Sequence, residues 1–412
     1  MIGAVLPVSS LLLGMAILLA GSGLIGTLLG LRAALEGYGG LTLGLVMSGF
    51  FTGYIVGAFT SPPLIRRVGH IRAFAAMAAL ASVTSMLYGL WVDPWVWWAL
   101  RVVNGVAVVT LYMVIESWLN EQMHEQRSKI FSAYMMVSFA ALGAGQFLIG
   151  LYGANALASF ALVAVLFSLG LIPIALTPVV QPTPVDTQRL PLAHLYRVSP
   201  VGFSAGLISG LVSGAFWGLA AAFAAHQGLD DHQVAGLTAA AIFGGAFMQW
   251  PVGKVAEGRD RRAVLVGVCI LAIAGAAGMF AVGPRSAAGL IAATAIYGAF
   301  SFSLYGLAVT QTHDRFHPSE ALEATKALLL LNGIGAAVGP VLAGAVLSLT
   351  TPRSFPLVLA GLLSLLAGFT LWRIRRDAPV AEDERTAFVP VHRTSVAAVE
   401  MDPRVPHAED TI

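Results

Sequence analysis

Apolar runs long enough to cross about 30 Å of hydrocarbon recur at roughly 8–31, 42–65, 72–91, 95–117, 129–150, 157–177, 201–224, 234–253, 263–282, 287–311, 327–348 and 355–374. Short polar or proline-bearing stretches separate them. The pattern predicts an all-α membrane protein with twelve transmembrane helices. Within some runs the polar positions are ordered. In 95–121, Arg101, Asn104, Gly105, Tyr112 and Glu116 fall within about a third of a helix circumference at 100° per residue. A charge facing lipid there would cost roughly 2.5–3.5 kcal/mol, so the stripe is expected to face protein or a water-filled cavity. A second stripe runs through Thr294, Tyr297, Ser301, Tyr305 and Thr312, and a third through Gly206, Gly210, Ser213 and Trp217.

The breaks between runs divide the chain. Residues 178–200 are rich in proline and polar residues, so they form a linker between two six-helix bundles, 1–177 and 201–376. The tail, 377–412, mixes acids, arginines and prolines with few large apolar residues, and disorder is the expectation for it. Short basic loops follow the second and eighth runs, PPLIRRVGHIR and GKVAEGRDRR. Such internal repeats mark transporters whose halves rock about a central site.

Composition agrees with a membrane protein. Only 11% of the residues are charged, against about 25% in soluble domains. The 45 glycines suit helices packed closely in lipid. Nineteen of the 23 basic residues lie on the side shared by both termini, so the positive-inside rule predicts both termini cytoplasmic in a cell (inner) membrane. The cluster Trp91, Trp95, Trp97 and Trp98 then sits at the outer interface. No charged residue precedes Arg32, so the first run reads as a span rather than a cleaved leader. The single cysteine, Cys269, lies in an apolar run, which leaves no disulfide framework and no thiolate metal site. His226 and His232 flank Asp230 and Asp231, and His313, Asp314 and His317 cluster elsewhere. Both groups fall in loops and read as solvated, so no metal and no cofactor are expected. No GxxxxGK[ST] phosphate loop is present, and no catalytic cluster falls within the spans. An enzyme, an ATP-driven pump and a nucleic-acid partner are therefore not expected, and the default oligomeric state is a monomer in the bilayer.

Particular motifs carry a family resemblance. Gly253, Glu257, Arg259, Arg261 and Arg262 resemble the Gly-x-x-x-Asp-Arg-x-Gly-Arg-Arg loop of the major facilitator superfamily, with Asp260 in place of the later glycine. The first copy departs further: Arg67 and Gly69 match, but Pro62 and Arg66 stand where Gly and Asp are expected. Arg101, Asn104 and Gly105 resemble that family's Arg-x-x-(Gln/Asn)-Gly motif. Gly335, Gly339, Pro340, Ala343 and Gly344 resemble an antiporter pattern, but in the eleventh span rather than the fifth. More narrowly, Gly26-Thr27-Leu28-Leu29 with Arg32 and Glu36, Arg67-Val68-Gly69-His70-Ile71-Arg72, and Glu116-Ser117-Trp118-Leu119-Asn120 resemble the YcaD-like transporter group. The resemblance implies two six-helix bundles around a cavity lined by spans one, four, seven and ten.

Site expectations follow. Arg32, Glu36, Arg101, Asn104, Tyr112, Ser213, Trp217, Tyr297, Ser301 and Tyr305 are the candidate solute or ion pathway. Arg67, Gly69, Arg72, Glu116, Gly253, Glu257, Arg261 and Arg262 are the candidate cytoplasmic gate. Arg101 reads either as a cavity cation or as a structural arginine bonded to helix carbonyls. Arg32 and Glu36, four apart on one face, read as an exposed pair or as a charged cavity mouth. Glu116 lies about 22 Å along the helix from Arg101, too far for a pair, and is expected to meet Arg66, Arg67 or Arg72. The function expected is secondary active transport of a small organic solute by alternating access, with protons as the coupling ion. A non-transporting assembly factor or sensor is the alternative. Efflux of amphipathic compounds and uptake of a small anionic metabolite both remain open.

Overall fold

A computed structural model of the protein describes residues 8–121, 127–176, 190–381, 385–386, 388–389 and 394–401. Among these, the long helices are α1 (Ser9–Leu35), α2 (Gly40–Val68), α3 (His70–Leu90), α4 (Pro94–Glu121), α5 (Arg127–Gln146) and α6 (Leu157–Ala175). After the short α7 (Leu192–Val198) come α8 (Pro200–His226), α9 (Asp231–Glu257), α10 (Arg261–Val282), α11 (Ala287–Ser301), α12 (Leu304–His313), α13 (Ala321–Leu349) and α14 (Phe355–Ile374). A short α15 (Val396–Glu400) lies in the tail. The tenth span is thus two helices in line, α11 and α12. Among the described residues, eleven spans are long and apolar enough to cross a membrane. The remaining helix, α9, is as long as its neighbours but carries Asp231, His232, Gln233, Gln249, Lys254 and Glu257, and it packs within the same bundle.

Local chemistry sets the helix ends. Gly69 turns α2 into α3 with φ +84°, a backbone region that side chains with a Cβ avoid. Asp230 and Gln233 form a reciprocal capping box at the start of α9. Asp260 caps α10 through the Arg262 N–H at 3.0 Å, and Ser286 caps α11 through Gly289 at 3.1 Å. Trp91 and Trp95 are exposed at one end of the bundle, while Trp97 is buried and its indole N–H donates to the Tyr88 carbonyl at 3.1 Å.

Packing repeats between the halves. In the first, α1 meets α5 and α6, α2 meets α4, and α3 meets α4 and α6. In the second, α8 meets α13 and α14, α9 meets α11, and α10 meets α11 and α14. Each pair has its counterpart six spans on. The helix ends fall into two sets. One, the basic end, holds the α2–α3 and α9–α10 turns and the end of α14. The other is called here the far end.

The halves meet mainly at the far end. There α2 lies along α13, α1 touches α8, and α5 touches α9. A Cβ added at Gly44 would collide with the Pro340 carbonyl, and one at Gly344 with the Gly40 carbonyl. Gly30 sits against Ala221. The Leu41 N–H donates to Ser348 Oγ at 2.9 Å, and Ala154 N–H donates to Asp231 Oδ2 at 2.9 Å. At the basic end the described tail residues lie between the halves.

That placement differs from the disorder expected of the tail. The reason is polar satisfaction: buried charged and polar groups at the basic end need partners, and the tail supplies them. Its remaining residues, and 177–189 of the linker, lie outside the described set.

Candidate substrate pathway at the basic end

Glu116 is fully buried, five residues from the end of α4. The expected pair with Arg66, Arg67 or Arg72 is not formed among the described residues: Arg67 and Arg72 lie exposed, and Glu116 is held by neutral donors instead. The Tyr134 hydroxyl on α5 and the Thr394 hydroxyl donate to its Oε1, and the Ser395 hydroxyl donates to Oε2. The Ala398 N–H adds a further bond. Tyr134 and Thr394 hydroxyls lie 2.9 Å apart, and Tyr54 on α2 donates to the Thr394 carbonyl. Tyr112, one turn before Glu116 on α4, is buried beside it. A carboxylate is acceptor-only when ionised, so a ring of hydroxyls and amides satisfies it without a cation.

A second anchor lies on the other half. Arg261 is buried and paired with Asp314 at 2.7 Å, both side chains almost wholly enclosed. Its guanidinium also donates to the Ala256 carbonyl at 3.0 Å and to the Thr386 carbonyl of the tail. Asp314 in turn accepts from the Thr386 N–H and hydroxyl, each at 2.8 Å. Phe388 covers Gly253 and approaches Gly306, and a Cβ at Gly253 would strike its ring. Arg262 pairs with Asp260 at 2.7 Å and donates to the Asp377 carbonyl at 2.9 Å. Burial pushes the Asp260 carboxyl up, but hydrogen bonds from Arg262 outweigh this and hold it below the ordinary carboxylate range. Burial lowers Arg315, with Arg262 adding in the same direction. Glu257 is exposed, so of this loop's expected gate residues it is Gly253, Arg261 and Arg262 that meet the tail or the end of α14.

The pathway candidates separate into three places. Arg101 is buried between α2 and α4, its guanidinium 4.8 Å from the Phe50 ring centroid, a cation–π contact. Tyr88 of α3 lies beside it. The Nε of Arg101 and the Oδ1 of Asn104 have no hydrogen-bond partner among the described residues, while Asn104 Nδ2 donates to Thr84 at 3.1 Å. Both residues thus point into the interior of the N-terminal half. Arg32 and Glu36 form a 2.7 Å pair at the far end, and Arg32 also donates to the Asn155 carbonyl at 2.7 Å.

In the C-terminal half, Tyr297 stacks on Phe216 at 5.3 Å. Trp217 stacks on Phe302, also in a near-parallel pair, at 5.6 Å. Tyr305 is buried with Leu195, Val309 and Leu328. Ser213 donates to the Gly210 carbonyl at 3.3 Å, and Ser301 is buried on α11. These residues are packed into the half rather than gathered round Glu116. Tyr54, Tyr134, Asp314, Thr386, Thr394 and Ser395 were not among the expected site residues. His313, expected in a solvated loop, instead closes α12 and is buried, with its Nε2 2.6 Å from Thr325 Oγ1.

Comparison with known proteins follows this geometry. Residues 202–401 match the family model described as Major Facilitator Superfamily. The chain is 27% identical over 337 residues to the uncharacterized MFS-type transporter YcaD of Escherichia fergusonii, covering 81% of this chain and 87% of that one. It is 28% identical, with the same coverage, to YcaD of Escherichia coli O139:H28. The fold is similar to the nucleoside transporter NupG, with TM-score 0.77 and 13% identity over 90% of this chain and all of the other. It is also similar to a bacterial homologue of the human lysosomal transporter Spinster in an inward-facing and occupied conformation, with TM-score 0.71 and 15% identity over 93% and 98% of the two chains.

Proposed function

We propose that this chain, similar to the major facilitator superfamily model and to the YcaD-type proteins, is a secondary transporter that moves a small organic solute by alternating access, coupled to protons through Glu116. The observation that carries the reading is the unequal closure of the two ends. Helices of the two halves touch directly at the far end. At the basic end they are bridged by the tail around a buried acid. That is one of the two states an alternating cycle needs. With most of the described basic residues at the basic end, that end faces the cytoplasm, the protein lies in the cell membrane, and this state opens inward once the tail withdraws.

A coupling group must change charge during the cycle. Arg101 does not deprotonate readily, and Glu36 is held by Arg32 at the far end. Glu116 is buried where the halves part and meets Tyr134, Thr394, Ser395 and the Ala398 amide, none of them a cation. It alone among these can shed its charge without stranding a paired cation.

The test begins with a thermal-shift panel on the purified protein to find a solute. A ligand at 100 times its Kd stabilises the folded state by about 2.7 kcal/mol. Proteoliposomes loaded with that solute then report flux under an imposed pH gradient. The expected result is gradient-driven accumulation that Glu116→Gln abolishes, with solute exchange weakened but still measurable because Gln keeps one acceptor oxygen. Accumulation by Glu116→Gln equal to the parent protein would remove Glu116 from coupling. Solute that binds but never crosses would favour the sensor reading.

A further inference from the structure

The tail does more than fill space. It leaves α14 past Asp377, is clamped at Thr386 by Arg261 and Asp314, crosses Gly253 with Phe388, and reaches the other half at Thr394. From there α15 packs between α4 and α13, and Ala398, Val399 and Met401 are buried. One segment therefore spans both halves at the end where the helices themselves part. Its contact with Glu116 is chemically specific: two hydroxyls, one amide N–H, and a compact apolar surface behind them.

We propose that residues 394–401 are a tethered internal ligand of the basin around Glu116. They hold the transporter closed at the far end, and they outline the solute that displaces them. That solute presents two or three hydroxyl or amide donors to a carboxylate and an apolar face to α13. It is neutral or cationic, because an anion would meet Glu116 with no cation among its described partners. The proposal rests on the transporter reading for the solute's identity alone; the occupancy of the basin by the tail stands on the contacts themselves.

The experiment uses labelling, which requires no transport. In a Cys269→Ala background, Tyr54→Cys places a thiol beneath Thr394, and reaction with a membrane-impermeant maleimide is timed on full-length protein in nanodiscs. Three partners are compared: the full chain, a chain ending at Ala381, and a full chain with Thr394→Val and Ser395→Ala. Labelling is expected to be at least ten-fold faster in the second and third than in the first. A synthetic peptide of sequence 390–401, added to the shortened chain, restores protection, and the same peptide with Val and Ala at the two hydroxyl positions does not. This peptide arm separates occupancy from any misfolding of the shortened chain. Equal rates in all three proteins overturn the proposal.

For the solute class, neutral polyols, neutral amides and monocarboxylates of matched size are titrated against the shortened chain. Protection by the neutral donors and none by the carboxylates supports the assignment; the reverse order overturns it. Protection without flux in proteoliposomes would sink the transporter reading and leave the tail's occupancy intact. Flux with no tail-dependent labelling would do the opposite.

Discussion

The two ends of the bundle close by different physics. At the far end the seal is backbone against backbone: Gly40 and Gly44 of α2 lie on Gly344 and Pro340 of α13 with no room for a methyl group. At the basic end the seal is made of side chains and a borrowed segment, with hydroxyls on Glu116 and a buried Arg261–Asp314 pair gripping Thr386. Close glycine packing has no soft coordinate. It is either made or broken, which suits a switch between discrete states. Hydrogen bonds to a tethered segment can be traded one for one against those of a solute. The difference predicts that mutations at the far end move the conformational equilibrium, while mutations at the basic end change what fills the basin.

The largest effect is expected at the Arg261–Asp314 pair. Removing one partner of a buried ion pair costs about 3–5 kcal/mol because the other charge is left uncompensated. Asp314→Ala should lower the melting temperature in detergent sharply and release Thr386, so that the Tyr54→Cys thiol labels quickly even in the full chain. Replacing both partners with uncharged residues should cost less than the two single changes summed. Additive losses would show that the pair is not the clamp.

Next comes the glycine seam. Gly44→Leu overpacks the contact between the halves, a cost of about 1–3 kcal/mol borne only in the state closed at the far end. A thiol at Ala221, beside Gly30 on that seam, should then label about 5- to 150-fold faster from the far side, as 1.4 kcal/mol is a factor of ten. Gly53→Leu is the control. Gly53 packs on Val102 inside the N-terminal half, so it should destabilise without opening the far end. If both variants label alike, the seam between halves is not the switch.

A smaller effect belongs to Asp260, which caps α10 and pairs with Arg262. Losing the cap should cost about 0.5–2 kcal/mol at pH 7. Its carboxyl is held below the ordinary range, so its contribution is fully present above the unfolded value, about 3.9. That contribution is lost as pH falls through the lower folded value. Asp260→Asn keeps a capping oxygen and removes only the charge that pairs with Arg262, so its melting difference from the parent, smaller than that of Asp260→Ala, should stay constant from pH 7 to 5 and shrink only in stronger acid. A difference that vanished by pH 5 would mean that Arg262 does not hold this carboxylate.

The sequence made the helices legible because apolar length and glycine or proline punctuation are local signals. The pairing of α2 with α13 is foreshadowed only by Gly344, read as part of a family pattern rather than a contact; Gly335 and Gly339 of the same pattern lie against α8 instead. Glu116 stood out as an intramembrane acid, yet its partners were mistaken. The rule that charge seeks charge pointed to nearby arginines. The structure satisfied the carboxylate with hydroxyls 18 and 278 residues away, and no periodicity carries that information. Tyr297 and Tyr305 share a helical stripe with a cavity-lining look. But α11 and α12 are separate helices, so the face does not run straight through, and stacking on Phe216 takes Tyr297 into the core. The tail's own composition suggests disorder, whereas the burial of its described residues depends on groups of other helices, Glu116 and Arg261 among them.

The smallest effect, and the one that discriminates most, concerns Glu36. It is four residues from Arg32, and both side chains are partly exposed, at 17% and 32%. Exposed pairs of this spacing contribute roughly 0.3–0.5 kcal/mol and are screened by salt. Arg32 also keeps its bonds to Asn155 when the acid is gone. Glu36→Gln should therefore shift the melting temperature by about half a degree at low ionic strength and by nothing measurable at high salt, and it should leave gradient-driven accumulation intact. Glu116→Gln should do the reverse, weakening solute binding and abolishing gradient-driven accumulation. The two acids lie at opposite ends of the bundle, one paired at the far end and one ringed by hydroxyls at the basic end. If Glu36→Gln stopped proton-driven flux while Glu116→Gln did not, the coupling site would move to the far end. The tail would then be closing a basin that handles solute alone.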